Sequence, residues 1–313
     1  MHFDHLFGPV PSRRLGISLG IDLVPYKTCS LNCVYCECGA TTDLTLERKE
    51  YAPTNAVISE LKQFLSTSPK LDYITFSGAG EPTLHSGIGQ IVEFLKNDFP
   101  HYKTALLTNG TLFYQQILIN EVKKIDLILP SLDAASDPVF RKIDRPVKGL
   151  GIQNIITGLV NLRSEFPGTI WLEIFIVPGV NDSEEEIKLL REAIHRIRPD
   201  QVQLNTLDRP GTESWVKAAT KIKLENIAQH LDWETDIIAN FQKREHIASY
   251  NLEIEDAIIQ TLKRRPCTSY DLSAVLGSHP NEINKYLDSL LKHKRIRSEE
   301  MERGRFYKIS DDI

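Results

Sequence analysis

Tyr73-Ile74-Thr75-Phe76-Ser77-Gly78-Ala79-Gly80-Glu81-Pro82 is the stretch from which the fold can be predicted, because a short apolar strand pattern runs into a glycine-rich turn. A helical pattern follows at residues 88–96. Such units recur from about residue 15 to 205, and their alternation is typical of an α/β fold with a parallel sheet. We predict strands at residues 16–24, 73–77, 104–108, 127–132, 170–177 and 202–205, and helices at 55–65, 88–96, 114–123, 152–165 and 184–196.

Polar residues recur on one face of several of these strands. Thr75 and Ser77 are two positions apart, as are Ser131 and Asp133, and residues 201–205 alternate between polar and apolar. A parallel sheet covered by helices on both faces has strands that are apolar throughout. We therefore predict a curled, partial (β/α)6 barrel of six parallel strands around a polar lumen. Its chemistry should lie at the carboxyl ends of the strands.

Length and composition set the broad class of the protein. The 313 residues are 41% hydrophobic and carry a net charge of -5, so any affinity for nucleic acid must come from a local patch. The first residues do not resemble a signal peptide, and no stretch is long and apolar enough for a membrane span. We expect a cytoplasmic protein without a membrane partner.

A second, smaller domain is predicted at residues 250–313, after a barrel domain at residues 1–245. Beyond residue 210 the pattern is helical, with one helix at 224–231. The smaller domain has helical patterns at 253–263, 269–276 and 281–293, followed by strand patterns at 295–298 and 305–309 around a polar turn. This order indicates a winged helix-turn-helix with a β-hairpin wing.

The chain has five cysteines, and four of them lie between residues 29 and 38. This crowding favours metal binding or redox chemistry over a disulfide framework. Cys29, Cys33 and Cys36 are spaced so that three thiolates can reach one metal centre from one loop. Three ligands leave one iron of a [4Fe-4S] cluster open to a substrate. The alternative is a structural zinc site completed by Cys38. Cys267 is predicted to be a small buried apolar residue.

The cysteine spacing, with the aromatic Tyr35 before the last cysteine, resembles the signature of the radical S-adenosylmethionine (SAM) superfamily. The segment 77–82 is similar to the Gly-Gly-Glu segment of that superfamily, in which an acid holds the amino group of SAM. The resemblance implies cluster ligands at Cys29, Cys33 and Cys36, SAM as cofactor, and an external flavodoxin- or ferredoxin-like one-electron donor. The cofactor-binding candidates are Tyr35, Gly78, Gly80, Glu81, Thr108, Asn109, Ser131, Asp133 and Asn205.

Several of these residues also have simpler interpretations. The glycines could form an ordinary turn, Asp133 could cap a helix before Ser136, and Asn205 could be a turn residue. Glu173 could face a lumen ligand or Arg209, or it could face solvent. Arg13, Arg14 and Lys27 could bind a phosphate or the cofactor carboxylate, or lie in solvent. Ser183 and Glu186 are predicted to form a capping box at the start of a helix.

A closer resemblance runs through residues 108–110, 131–134 and the segment Lys142-Ile143-Asp144-Arg145-Pro146, which are similar to enzymes of wyosine synthesis. Those enzymes act on guanosine in tRNA, so the resemblance implies RNA as substrate and a role in tRNA modification. This sequence lacks the additional cysteine set that holds their second cluster, which counts against wyosine chemistry itself.

Basic residues of the smaller domain make nucleic acid a candidate partner. The domain has eleven Lys plus Arg and eleven Asp plus Glu from residue 252 onward, so it is neutral overall. Its cations gather on the third helix and the wing, where helix-turn-helix proteins contact phosphates; the candidates are Lys285, Lys292, Lys294, Arg295, Arg297, Arg303 and Arg305. Winged helices also dock peptides or dimerise. The main hypothesis is a radical SAM enzyme acting on RNA, and the alternatives are a peptide or small-molecule substrate, or an iron–sulfur-sensing DNA-binding regulator.

Overall fold

The computed structural model describes residues 3–12, 14–208, 211–238, 252–264, 266–276, 278–301 and 304–310. Arg13, Arg209, Arg303 and the predicted domain boundary near residues 245–250 lie outside these ranges, so the domain boundary remains a prediction.

One eight-stranded sheet forms the larger part of the molecule. In spatial order its strands are β1 (Leu6–Ser12), β2 (Gly16–Ile21), β5 (Tyr73–Phe76), β6 (Lys103–Thr108), β7 (Leu127–Pro130), β8 (Thr169–Phe175), β9 (Gln201–Asn205) and β10 (Thr235–Ile237). All neighbours in this sheet are parallel except β1 and β2, which are antiparallel. Two short strands, β3 (Thr28–Cys29) and β4 (Asp43–Leu44), pair separately.

The six predicted strands are present, but the predicted count of six parallel strands is wrong, because β10 adds a seventh at one edge. β1 adds an antiparallel strand at the other edge. It contains Pro9 and Pro11, which lack a backbone donor and are tolerated only at a sheet edge, so its sequence does not resemble a strand. β10 has only three residues, too few for a recognisable alternation.

Helices cover the outer face of this sheet. They are α1 (Thr54–Leu65), α2 (Ile88–Asp98), α3 (Gln116–Val122), α4 (Asp137–Ile143), α5 (Ile152–Glu165), α6 (Glu184–Ile197) and α7 (Lys221–Leu231), with a 3-10 turn at Pro82–Leu84. Leu19, Ile74, Ile128 and Leu172 are fully buried on this face and pack with the helices in one large core. The sequence predicts all of these helices except α4, whose seven residues begin with Asp-Pro, an arrangement also typical of a turn.

The inner face of the sheet encloses a lumen, and its lower part is apolar. Leu15, Ala105, Leu127 and Leu129 form a second, separate core there. Leu15 belongs to the turn between β1 and β2, so this turn folds inward and closes the lumen at the amino-terminal ends of the strands. Above the apolar layer the lumen is polar, as the strand alternation predicts; Ser18 and Thr75 face each other across a hydrogen bond of 2.6 Å.

Residues 252–310 form a smaller module with its own core. Its elements are α8 (Leu252–Arg264), β11 (Cys267–Thr268), α9 (Ser269–Leu276), α10 (Pro280–Lys292), β12 (Ile296–Met301) and β13 (Gly304–Ile309). The three strands form an antiparallel sheet in the order β11-β13-β12. Cys267 is 1% exposed and packs with Ile258, Leu272 and Leu287, as predicted for a small buried residue. None of the helices in the described ranges has the length and apolar character needed to cross a membrane.

Candidate cofactor site

The cysteine loop follows β3 and is held from two sides. The end of α4 and the residue after it supply acceptors for the cysteine loop, with Asn32 N donating to Asp144 O and Val34 N to Ile143 O, both at 2.9 Å. On the other side Glu213 N donates to Val34 O at 3.0 Å. The Cys29, Cys33 and Cys36 thiols are free and partly exposed. The loop therefore presents three thiols on a backbone that is held by hydrogen bonds on both sides.

Two N–H donors point at the sulfur atoms. Lys27 Nζ lies 3.0 Å from Cys36 Sγ, and Asn109 Nδ2 lies 3.5 Å from Cys29 Sγ. Burial alone would lower the pKa of Lys27, but the neighbouring Cys36 and Cys38 sulfurs raise that pKa above its usual value. The Lys27 side chain is thus a buried cation beside the loop, which excludes the solvent-exposed alternative for it.

The thiols differ in acidity. Burial raises the pKa of Cys29 to about 12, and it raises that of Cys33 well above the usual value. Hydrogen bonding from the Cys38 thiol, followed by the charge of Lys27, holds the pKa of Cys36 well below the usual value. Of these three thiols, Cys36 is the one whose pKa is lowered, because a cation and a thiol donor lie beside it.

This donor set fits an iron–sulfur cluster. Thiolates of one loop, a nearby cation and N–H donors to sulfur are the features that bind such a cluster and set its potential. In the part of the chain that the structure describes, no three His, Cys, Asp or Glu side chains converge on a point suited to a single metal ion. A [4Fe-4S] cluster is larger than one ion, and its thiolates bind different iron atoms, so they need a wider spacing.

The glycine-rich segment after β5 packs against the loop that carries the cysteines. A Cβ at Gly78 would lie 2.0 Å from Asp22 Oδ1, and a Cβ at Gly80 would lie 2.1 Å from Thr28 O. Glu81 N donates to the same Thr28 carbonyl at 3.0 Å. Both glycines are thus needed for close packing between two strand ends, a use that the sequence analysis did not foresee.

Glu81 is buried and anchors the neighbouring strand end. Its Oε1 accepts from Thr83 N, Thr83 Oγ1 and Thr108 Oγ1 at 2.6–3.0 Å, and its Oε2 accepts from Asn109 N at 2.7 Å. Burial raises the pKa of Glu81, although these hydrogen bonds act in the opposite direction. Asn109 also donates to Ser30 Oγ at 2.8 Å, so one residue links the acid to the cysteine loop.

Tyr35 and Asp133 contact each other rather than standing apart. The Tyr35 hydroxyl donates to Asp133 Oδ2, and its ring stacks on Phe175 with centroids 3.8 Å apart. Asp133 Oδ1 accepts from Phe175 N at 2.7 Å, so the proposed helix-cap role of Asp133 is wrong. Burial raises the pKa of Asp133 to about 7. A cavity of about 20 Å³ lies beside this group and is lined by Tyr35, Asn109, Ser131, Asp133 and Asp144 among others.

The lumen above the apolar layer contains a charged pair. Arg14 donates to Glu173, and both side chains are only 16% exposed. Asn205 Nδ2 donates to Glu173 Oε1 at 3.0 Å, and Ser131 pairs with Glu173 through a β-bridge. The solvent-facing alternatives for Glu173 and Arg14 are therefore wrong. Arg14 and Asn205 are partners of Glu173 within the described residues, whereas Arg209, one of the alternatives raised by the sequence, lies outside them.

One of the two hydrogen bonds of the predicted capping box is present at the start of α6. Ser183 Oγ accepts from Glu186 N at 3.2 Å. The Glu186 carboxylate does not return to Ser183 N; it accepts from Ala135 N at 2.6 Å and Ser136 N at 3.0 Å. Tertiary packing has redirected the acid to the loop that follows Asp133, which fixes that end of β7.

The basic candidates of the module are dispersed. Lys292, the last residue of α10, and Lys294, two residues further on, are exposed, and Lys285 is half-buried within the helix. Arg295 pairs with Glu255 of α8, and Arg305 donates to Gly211 O at 3.0 Å. Arg303 lies outside the described ranges. Arg297 on β12 is exposed as well, so the exposed cations among the described candidates are Lys292, Lys294 and Arg297.

Sequence reasoning missed Asp22, Asp144 and His279. Asp22 follows β2 and continues the parity of Ser18, a signal that could have identified it. Asp144 lies in a quoted motif, but its buried contact with the cysteine loop depends on the path of the chain after α4. Asp22 Oδ1 and Asp144 Oδ1 are buried without a hydrogen-bond partner among the described residues.

A sequence model of the radical SAM superfamily matches residues 23–190, more than half of the chain. The chain belongs to the radical SAM superfamily. It is 34% identical to a UPF0026 protein of Methanocaldococcus jannaschii, over 82% of this chain and 81% of that one. It is 30% identical to a UPF0026 protein of Helicobacter pylori, over 96% of both chains. A protein named GTPase Obg from Brachyspira hyodysenteriae is 34% identical over 94% of this chain, which spans only 43% of that relative.

Solved structures agree with this membership at the level of the fold. A radical SAM methyltransferase from Sphaerobacter thermophilus aligns with a TM-score of 0.57 and 16% identity, over 72% of this chain and 67% of that one. SuiB of Streptococcus suis bound to SAM aligns with a TM-score of 0.53 and 12% identity, over 75% of this chain and 56% of that one. Because the superfamily model covers more than half of the chain, the protein is a radical SAM enzyme, and the cofactors of its superfamily are a [4Fe-4S] cluster and SAM.

Proposed function

We propose that Cys29, Cys33 and Cys36 bind the cluster and that the strand ends at Glu81, Asn109 and Ser131 hold SAM above the lumen. When bound, these cofactors supply one-electron cleavage of SAM to methionine and a 5'-deoxyadenosyl radical, which takes a hydrogen atom from the substrate. An external flavodoxin- or ferredoxin-like protein is the proposed electron donor, and the cytoplasm, where thiols stay reduced, is the expected location.

The observation that carries this proposal is the contact of Asn109 with both halves of the site. Its backbone N–H donates to Glu81, while its side chain donates to Ser30 and reaches Cys29 Sγ. A single residue therefore couples the position of the thiols to that of the strand-end acid. Such coupling is what a cofactor needs if it is to be held by the acid and to reach the cluster at the same time.

The other residues have supporting roles in this proposal. Lys27 and Asn109 donate toward sulfur and stabilise the anionic cluster. Tyr35 and Asp133 brace each other beside the small cavity, so Ser131 and Asn109 are the neighbouring groups best placed to meet a nucleoside. The polar lumen around Glu173 and Asn205 is the proposed substrate space, and the apolar layer at Leu15 excludes water from below.

Alanine substitution of each cysteine tests the ligand assignment. After anaerobic reconstitution, Cys29→Ala, Cys33→Ala and Cys36→Ala should lack the cluster's colour and iron and should form no 5'-deoxyadenosine above background. Cys38→Ala and Cys267→Ala serve as matched controls and should keep both properties. Loss of the cluster in Cys38→Ala together with its retention in one of the first three would contradict the assignment.

For the substrate we keep RNA as the proposal, with the module as a winged helix that contacts it. Exposure of Lys292 and Lys294 at one end of α10 supports this, because phosphate contacts need accessible cations. Replacing both by alanine should weaken binding of a tRNA pool about tenfold and reduce its salt dependence, because two phosphate contacts are removed. Unchanged binding would favour a peptide or small-molecule substrate. The regulator hypothesis predicts sequence-specific DNA binding without SAM binding.

A further inference from the structure

The module contacts the strand ends of the barrel through His279, which directly precedes α10. The His279 side chain is 8% exposed, and its ring stacks on Phe7 of β1 with centroids 4.4 Å apart and an interplanar angle of 22°. Phe7 in turn covers Gly20 of β2, where a Cβ would lie only 2.0 Å from the ring. His279 is therefore packed against the sheet at the end where the glycine-rich segment 77–82 lies.

His279 also contacts the carboxylate that supports this segment. Its Nε2 lies 3.1 Å from Asp22 Oδ2, and Ala79 N donates to the same oxygen at 3.2 Å. Asp22 thus joins the module to the backbone between Gly78 and Glu81. Each contact is short enough for a hydrogen bond, so the chain His279–Asp22–Ala79 is continuous.

The second carboxylate oxygen of Asp22 is the feature that indicates a ligand. Asp22 is 90% buried, since its side chain is 10% exposed, and Oδ1 has no hydrogen-bond partner among the described residues. This oxygen lies directly over Gly78, as the 2.0 Å approach to a Cβ there shows. A buried acceptor without a donor is costly, and buried polar groups are nearly always satisfied. A cationic donor at this position would satisfy it.

We propose that Asp22 and His279 form a positioning pair for the methionine end of SAM. Asp22 offers Oδ1 to the ammonium group beside Gly78, and His279 holds the carboxylate in place from the module. The module is then part of the cofactor site, in addition to any contact with substrate. This inference rests on the proposed placement of SAM at the strand ends.

Binding measurements on the full chain with its cluster loaded test the pair. Dissociation constants for SAM are measured by equilibrium dialysis, alongside iron content and the electron paramagnetic resonance spectrum of the reduced cluster with and without SAM. Asp22→Asn and His279→Ala should each weaken SAM binding about tenfold, as expected for loss of a hydrogen bond to a charged group. Iron content and the SAM-free spectrum should stay as in the wild type.

Two further variants separate positioning from a general packing role. His279→Gln loses the ring stacking on Phe7 but keeps an N–H donor for Asp22, so it should recover most of the SAM affinity. His293→Ala removes an exposed histidine beyond the other end of α10 and should bind SAM like the wild type. The loss of SAM-binding free energy in the double variant Asp22→Asn/His279→Ala should be smaller than the sum of the two single losses, because both changes break the same contact.

The possible failures are distinguishable. If the wild type binds SAM and both single variants bind it within twofold of the wild type, the pair is overturned while the proposed function stands. If the reconstituted wild type itself binds no SAM, the proposed function and the pair both fail. If His279→Ala does not fold, the other two variants decide. The proposed pair then requires that Asp22→Asn binds SAM more weakly than the wild type and that His279→Gln binds it almost as tightly. Any other combination overturns the pair.

Discussion

Lys27 shows how one residue adapts the cysteine loop to its chemistry. Its backbone has φ of 59°, a left-handed conformation that is unusual for lysine, and its side chain is 3% exposed. A buried ammonium group is costly unless it is paired, and Cys36 supplies the partner. The strained backbone and the buried charge are both explained if the Lys27 ammonium stabilises negative charge on the sulfur atoms.

Replacing Lys27 should make the cluster harder to reduce. Reduction adds negative charge, which the ammonium stabilises, so Lys27→Met should shift the midpoint potential by about 60 mV to more negative values, a tenfold change for one electron. Redox titration followed by electron paramagnetic resonance measures this shift. Lys27→Arg keeps the charge and should shift the potential less, and Lys70→Met at an exposed position should not shift it. Equal potentials in Lys27→Met and the wild type would contradict the role.

Sequence patterns were sufficient to find the site residues whose role is defined by their immediate neighbours in the chain. The cysteine spacing and the acid at Glu81 could be found because their neighbours along the chain define them. The partners of Asp22 could not be predicted from the sequence, because only the folded sheet and the docked module bring Ala79 and His279 next to it. The same applies to Glu173, whose partner Arg14 comes from a distant turn.

His85 connects the segment before α1 to the start of α2. Gly87 N donates to His85 Nδ1 at 3.0 Å, so the proton must be on Nε2, which donates to Ala52 O at 2.7 Å. The neutral ring satisfies both contacts, whereas protonation of Nδ1 would break one of them. Burial accordingly lowers the pKa of His85.

This arrangement predicts a specific dependence of stability on pH. Below about pH 6.5 the unfolded chain binds a proton at His85 that the native state resists, so the free energy of unfolding falls as pH decreases. His85→Gln should lower that free energy by about 1–2 kcal/mol near neutral pH through a lost hydrogen bond. It should also lose less stability than the wild type between about pH 7.5 and 5.5. Urea unfolding at both values measures this, with His101→Gln at an exposed position as control; equal pH dependence in all three proteins would refute it.

Elements with an uninterrupted apolar periodicity were predictable, whereas those interrupted by proline or only three residues long were not. α5 and α9 have the predicted bounds, because their apolar spacing is carried by the helix itself. β1, β10 and α4 were missed because prolines or a length of a few residues obscure their periodicity. These elements form through pairing with a neighbour that already exists, a tertiary effect that no local window contains.

The described molecule has three hydrophobic cores, two in the barrel and one in the module, and a junction between barrel and module. The barrel cores and the module core share no residue. The junction lies at the cysteine loop, where Tyr26 donates to Cys38 O at 2.6 Å and its ring lies 6.3 Å from that of Tyr270. Arg305 reaches Gly211 from the other side. The module is thus attached to the loop that binds iron in the proposed function.

Removal of iron should therefore loosen the module. A ligand bound only to the native loop stabilises whatever packs on that loop, so chelation should speed amide hydrogen exchange in α9 and β13 by about tenfold. Hydrogen exchange with and without the cluster measures this, and α2, which packs against α1 and α3, should show no change. Faster exchange confined to residues 29–38, with α9 and β13 unaffected, would show that the junction carries no coupling.

The inward turn at Leu15 also limits what kind of substrate can react. Because Leu15 packs with Ala105, Leu127 and Leu129 across the amino-terminal end, the described residues leave the carboxyl ends of the strands as the side for entry. A polymer cannot be threaded through such a cavity. An RNA substrate would have to insert a single extruded nucleotide or a chain terminus, and it would have to leave by the route through which it came.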